Sequence, residues 1–308
     1  MARSDVHPVH RFENWQVWPG SFDNPAADGT YAFPENPDLV ITRKTPIASM
    51  GSCFAREIRR KLLYFNFNYI TEETHHPAAV HASAAWERSY NTFSMRQLFE
   101  YTFDNWQPDL RWWIAPESGK VQDPYRRIIL YDSVSEAEQD FARHREHSRR
   151  ALERAQVLIL TLGLTEIWED TVDGSVICLP SGPYAREGGD MGRYRFRVSR
   201  YAENLENLER IHAMMAAVNP DCNIIVTVSP VHLWATFRRD LDVLSASCNS
   251  KSTLRAAVDE FAVRHDNVFY FPCLLYTSPS PRDQRPNLGC PLRREKRGGG
   301  GGGGGGGG

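Results

Sequence analysis

Apolar strands alternating with amphipathic helices along residues 41–272 predict an α/β fold: a doubly wound parallel sheet with helices on both faces. Two runs carry that reading, Val157 to Leu162 (VLILTL) and Asn223 to Ser229 (NIIVTVS). Continuous apolar character over so few residues marks a strand buried on both faces, the habit of parallel sheets. The third observation is their punctuation. Each run follows a long helical segment and is closed by a breaker, Gly163 or Pro230.

Residues 1–40 are rich in Pro, Asn, Asp and Trp without periodicity and read as an N-terminal arm wrapped on the surface. Ile47 to Met50 is a short strand, and Phe54 to Phe65 is amphipathic and helical. Asn68 to Thr71 predicts the next strand, residues 75–92 a loop, and Ser94 to Asn105 a helix. Ser135 to Ala155 is a longer helix with Glu136, Glu138, Arg143, Glu146, Arg149 and Arg150 along one side. After VLILTL, residues 170–197 carry Gly174, Gly182, Gly188, Gly189 and Gly192 and read as a hairpin plus a mobile loop. Ser199 to Val218 is a helix stopped by Asn219-Pro220. Beyond NIIVTVS, Ser250 to Val263 is a helix and Asn267 to Phe271 another buried strand.

From Cys273 the texture changes to CLLYTSPSPRDQRPNLGCPLRREKR and then eleven glycines, Gly298 to Gly308. Neither helical nor alternating periodicity is present, and a glycine tract cannot offset its ordering entropy. A flexible linker is the conventional reading. The run Cys273 to Asp283 also back-translates to a transposase-type sequencing adapter, and unread G calls translate to glycine. On that reading Pro272 is the last native residue. Residues 41–272 are then a C-terminally truncated domain, and 273–308 a non-native, disordered tail.

Setting aside the six basic and two acidic residues beyond Pro272 moves the net charge from −2 to −6. The four cysteines before it, Cys53, Cys178, Cys222 and Cys248, are scattered, which suits free thiols in a reducing compartment. No Lys/Arg-rich block provides an electrostatic footprint for nucleic acid. No apolar run approaches the ~20 residues of a membrane span, and the start has no apolar signal core. A cytoplasmic protein is expected, without membrane or nucleic-acid partner; the sequence leaves its oligomeric state open.

In a doubly wound sheet, ligands bind beyond the carboxyl ends of the strands. Three exits converge there: Gly51-Ser52-Cys53, Gly163-Leu164-Thr165-Glu166 and Ser229-Pro230-Val231-His232. Ser52, at a strand-to-helix junction, is either a helix N-cap or a nucleophile held at the sheet edge. Cys53 is a second candidate nucleophile, since a helix N-terminus favours thiolate. His232 lies at a strand exit and reads as pocket lining, whereas His265 precedes the last strand, on the wrong side of the sheet. His75, His76 and His81 offer imidazoles for a metal, but loop histidines of this kind are more often solvated. No metal or cofactor is assigned.

Ile47 to Glu73, with Gly51-Ser52-Cys53-Phe54-Ala55 inside it, resembles the signature of the GSCFA-domain family. The likeness continues at Tyr90 to Ser94 with Arg96 to Leu98, and at Thr161 to Trp168. It returns at Thr227 to Val231 with Ala235 to Phe237, and at Ser250 to Ser252 with Leu254-Arg255. That family is similar to the SGNH/GDSL hydrolase superfamily, which implies a three-layer flavodoxin-like fold. It also implies a serine esterase or acyltransferase acting on an undefined, carbohydrate-linked or other small acyl ester.

Carried over residue by residue, Ser52 takes the nucleophile's place. The Ser52 and Gly163 N–H groups are the oxyanion donors, with Asn91 a candidate for the third. Thr165 and Glu166 stand where the superfamily has an asparagine. Glu166 reads as pocket lining or as a charge on a helix's first turn, and Trp168 as a packed wall. The superfamily's Asp-x-x-His follows the last strand, where this chain has the histidine-free tail. The chain as written is therefore expected to lack its base and to be inactive. Apolar surface beside Val268 to Phe271 is expected to be exposed. The alternative is a non-catalytic glycan- or acyl-binding module on the same fold.

Overall fold

The computed structural model describes residues 39–51, 53–76, 82–87 and 89–272. The chain divides by its contacts at Thr42/Arg43, and every element among the described residues belongs to the part from Arg43 on. β1 (Ile47–Met50) leads into α1 (Cys53–Tyr64), and α2 (Thr92–Phe103) is the next helix among the described residues. Next come β2 (Trp113–Ile114), β3 (Val121–Gln122), β4 (Leu130–Tyr131) and α3 (Val134–Arg154). β5 (Val157–Leu162), β6 (Glu166–Asp170) and β7 (Val176–Ile177) precede α4 (Pro183–Arg186) and β8 (Tyr194–Val198). α5 (Tyr201–Val218), β9 (Asn223–Val228), α6 (Val243–Arg264) and β10 (Val268–Tyr270) complete the order.

The main sheet is parallel, in the order β1-β5-β9-β10. Ile47 stands opposite Val157, and Leu158 and Val268 flank Ile224. On the outer side of β1, Tyr69 forms a single parallel bridge with Ile47. The strand expected over Asn68 to Thr71 is thus reduced to one bridge. Its backbone bonds to Ile47 on either side of Tyr69, but from Glu72 on it pairs with Ser83 instead.

One face of the sheet presents Ala48, Met50, Leu158, Leu160, Leu162, Ile224, Val226 and Val228. These pack with Phe99 of α2, Leu152 of α3, Leu208 of α5 and Phe261 of α6 in one core. The opposite face carries Ile47, Val157 and Ile159, with α1 against β1 and β5. Further along that face Ile225 and Phe269 are half-buried, and Phe271, just past β10, is 47 % exposed. The expected α/β architecture with helices on both faces is present.

Two further sheets, both antiparallel, modify the single-sheet expectation: β2-β3-β4 and β7-β6-β8. β2, β3, β4 and β7 have two residues each, too few to print an alternation on the sequence. Three residues separate β6 from β5, so the stretch expected as a hairpin from residue 170 begins at Glu166.

Helix starts follow their caps. Asn91 accepts from Ser94 N (2.8 Å) and starts α2 two residues before the expected Ser94. Asp242 accepts from Leu244 N and Ser245 N, so α6 begins well before Ser250. The polar stretch SASCNSKS had hidden its first turns. At the end of α3, Asn219 Nδ2 donates to the carbonyls of Leu152, Glu153 and Ala155, closing groups that the helix leaves open.

Candidate functional site

The GSCFA string begins with a glycine for a steric reason. Gly51 has φ +151°, and a Cβ there would lie 1.8 Å from Thr161 Oγ1 and 3.0 Å from the Thr161 carbonyl oxygen. Only glycine lets the exit of β1 pass so close to β5. Ser52, the candidate nucleophile and oxyanion donor, lies outside the described residues. Its neighbour Cys53 opens α1, partly exposed.

At the exit of β5 the Gly163 N–H donates to the Tyr90 carbonyl (2.7 Å), and the Gly163 carbonyl accepts from Lys251 Nζ (2.8 Å). The buried Thr165 hydroxyl shares a hydrogen bond with Ser250 Oγ (2.8 Å). Two consecutive residues of α6 therefore clamp the turn after β5. Lys251 is only 7 % exposed. Burial lowers its ammonium pKa to about 8, against a smaller upward pull from Cys53. Lys251 lines an open cavity of about 840 Å³ together with Pro230, His232, Ser247, Cys248 and Arg255.

The remaining sequence-derived residues divide. His232 joins Lys251 in the cavity wall. Ser229 closes its own turn, accepting from Val231 N (3.2 Å) while its N–H extends the sheet to Leu162 O. Asn91 spends its oxygen on the α2 cap and its amide on Cys178 Sγ (3.4 Å). Glu166 accepts from the Thr236 hydroxyl and from Phe237 N (3.1 Å), pinning the loop between β9 and α6. Trp168 packs edge-on against Phe237, ring centres 5.0 Å apart. The structure thus joins Gly163, Thr165 and His232 around Lys251, while Glu166 and Trp168 hold a neighbouring loop.

Lys251 was not singled out from the sequence as a site residue. Its signal was present, a lysine inside the Ser250-Lys251-Ser252 block on a helix that must bury a face against the sheet. A second polar cluster was also missed. His75 and His76 meet Glu73 and Asp140, both carboxylates being buried. The expectation of solvated loop histidines holds only in part, since His76 is 23 % exposed and bonded to Asp140 at 2.9 Å. His81 lies outside the described residues.

No helix of the described residues is long and apolar enough to cross a membrane. No curated protein matches the chain at a significant level. The sequence profile of the GSCFA family matches residues 46–285, running past Pro272. The match spans most of the sequence, from β1 through β10, and the protein therefore belongs to the GSCFA family.

Proposed function

We propose that this GSCFA domain is an acyl-ester hydrolase or acyltransferase of SGNH type, with Ser52 as nucleophile and the cavity beside Lys251 as its substrate pocket. The observation that carries the reading is Lys251. Its amine is buried at the exit of β5, within electrostatic reach of Cys53, the residue after Ser52. A serine hydroxyl needs a base, and a lysine that loses its proton near neutral pH is an established substitute for histidine. With one N–H given to the Gly163 carbonyl, the neutral amine keeps its lone pair for the Ser52 proton.

Strand order supports the same reading. With the Tyr69 bridge counted as the outer member, the order by sequence is 2-1-3-4-5, that of flavodoxin-like sheets. The Ser52 N–H is the first oxyanion donor. Recruiting the Gly163 N–H requires the Tyr90 carbonyl to move aside. An acyl ester of a small alcohol or a sugar suits an open cavity lined by Ser, Lys, Arg and His side chains. None of Cys53, Cys178, Cys222 and Cys248 is in a disulfide, which fits a cytoplasmic enzyme.

With Lys251 as base, the chain as written is expected to be active, in place of the inactivity expected from the missing histidine; the test is turnover of p-nitrophenyl acetate by the full chain and by Ser52→Ala. The variant is expected to fall to the uncatalysed rate, and undiminished turnover would overturn the nucleophile's assignment. Cys53→Ser is expected to retain activity; loss there, with iodoacetamide sensitivity in the parent, would transfer the role to the thiol. Ligand binding retained by a wild-type chain without turnover would favour the binding-module reading.

A further inference from the structure

The connection that follows the Tyr69 bridge meets α3 in a cluster that shares no residue with the cavity. Glu73 is fully buried. Its Oε2 accepts from Ala85 N (2.9 Å) and lies 2.6 Å from His144 Nδ1. Asp140, on α3, accepts through Oδ2 from Arg126 Nη2 (3.0 Å) and from the Tyr131 hydroxyl (2.7 Å). One oxygen of each carboxylate is thus fixed from behind, the arrangement that orients metal ligands elsewhere.

The other two oxygens converge on two imidazoles. His75 Nε2 and His76 Nε2 stand 3.0 Å and 2.9 Å from Asp140 Oδ1, and His75 Nε2 is 3.6 Å from Glu73 Oε1. One ligand atom from each of the four residues lies within 4.8 Å of the others. Hydrogen bonding alone explains half of this. Each imidazole can donate to Asp140 Oδ1, which also has Arg143 at 3.3 Å. Glu73 Oε1 is then left buried without a hydrogen-bond donor, Arg126 Nη1 standing 3.5 Å away. A buried carboxylate oxygen held only by a guanidinium at that distance keeps a lone pair for a further, closer partner.

A cation among the four atoms supplies that partner. Zinc bonds of ~2.0–2.2 Å in a tetrahedron place ligand atoms ~3.4 Å apart, and the observed separations bracket that spacing. Two imidazole nitrogens with two carboxylate oxygens suit zinc and its transition-metal neighbours, whereas magnesium and calcium take oxygen donors. Arg126 does not forbid the charge. With Asp123 it belongs to a set of three buried carboxylates (Glu73, Asp123, Asp140) and two guanidiniums, buried Arg126 and partly buried Arg111, which leaves one net negative charge. The imidazoles are 36 % and 23 % exposed, which opens a way in.

We propose that Glu73, His75, His76 and Asp140 bind one divalent transition-metal ion, zinc by preference, and that this ion pins the residue 71–76 connection to α3. Four protein ligands around one ion are the mark of a structural rather than an open, catalytic centre. The test uses the full chain, stripped with a chelator and titrated with Zn²⁺ against a chromophoric competitor. One equivalent is expected to bind and to raise the melting temperature. His75→Gln and His76→Gln should each weaken binding about tenfold or more. The double variant should bind none, while keeping the circular dichroism and melting temperature of the metal-free parent. Cobalt substitution should give weak visible bands without a thiolate charge-transfer band, which separates this site from the chain's six cysteines. Failure to bind one equivalent, unchanged affinity in the double variant, or a thiolate band on cobalt loading would each overturn the proposal.

Discussion

Gly51 shows how one residue can be dictated by a neighbour more than a hundred positions away. Its missing Cβ is what Thr161 needs, and the contact involves Thr161 backbone as well as side chain. Gly51→Ala is expected to cost more than ~2 kcal/mol in denaturant unfolding, because a strained φ and a backbone overlap add together. Lys251 gives a second expectation. Its pKa is lowered in the fold to about 8 from 10.5, so between those values the unfolded chain binds more protons and stability rises with pH. Below pH 8 the full burial cost is present. Lys251→Met removes it, so at pH 7 the variant should gain roughly 3 kcal/mol relative to its standing at pH 10.5. Matched urea titrations of both proteins at the two pH values check this. A difference that does not change with pH would mean that Lys251 is solvated in the native state.

The elements show where a sequence conceals structure. β5 and β9 were legible because burial on both faces leaves an uninterrupted apolar run. β7 was not, since two residues carry no period and its pairing is finished by a side chain. Gln97 of α2 donates to the Val176 carbonyl and accepts from the Val176 N–H, both at 2.7 Å, standing in for a neighbouring strand. Gln97→Leu strands two buried backbone groups at once and should cost at least ~2 kcal/mol, read by thermal or urea unfolding. Asn91→Ala removes the α2 cap and should cost about 1 kcal/mol. The same reasoning explains the site. Gly51, Gly163 and His232 could be found from strand exits, because sheet topology fixes where exits lie. Lys251, Glu73 and Asp140 come from helix α6, an irregular connection and helix α3, and only tertiary packing brings each to its partners.

At the scale of the whole molecule, the parallel sheet was predictable and the β7-β6-β8 sheet only as a hairpin, while β2-β3-β4 was not. Sequencing the source gene beyond the Pro272 codon should show a continuation unlike the adapter-like run, if that run is read-through. An unchanged continuation would make residues 273–285, which the family profile includes, part of the native chain.

The strand order carries a consequence for synthesis. β1 lies between Tyr69 and β5, and its register partner Val157 leaves the ribosome about 110 residues after Ile47. At 5–20 residues per second that interval is roughly 5 to 20 s. Throughout it, the apolar β1 has only a one-bridge neighbour to pair with, and the GSCFA turn cannot take its final shape, because Thr161 does not yet exist. Nascent chains arrested before β5 should therefore be cut readily by protease around residues 47–56. Chains arrested after β5 has cleared the exit tunnel should resist.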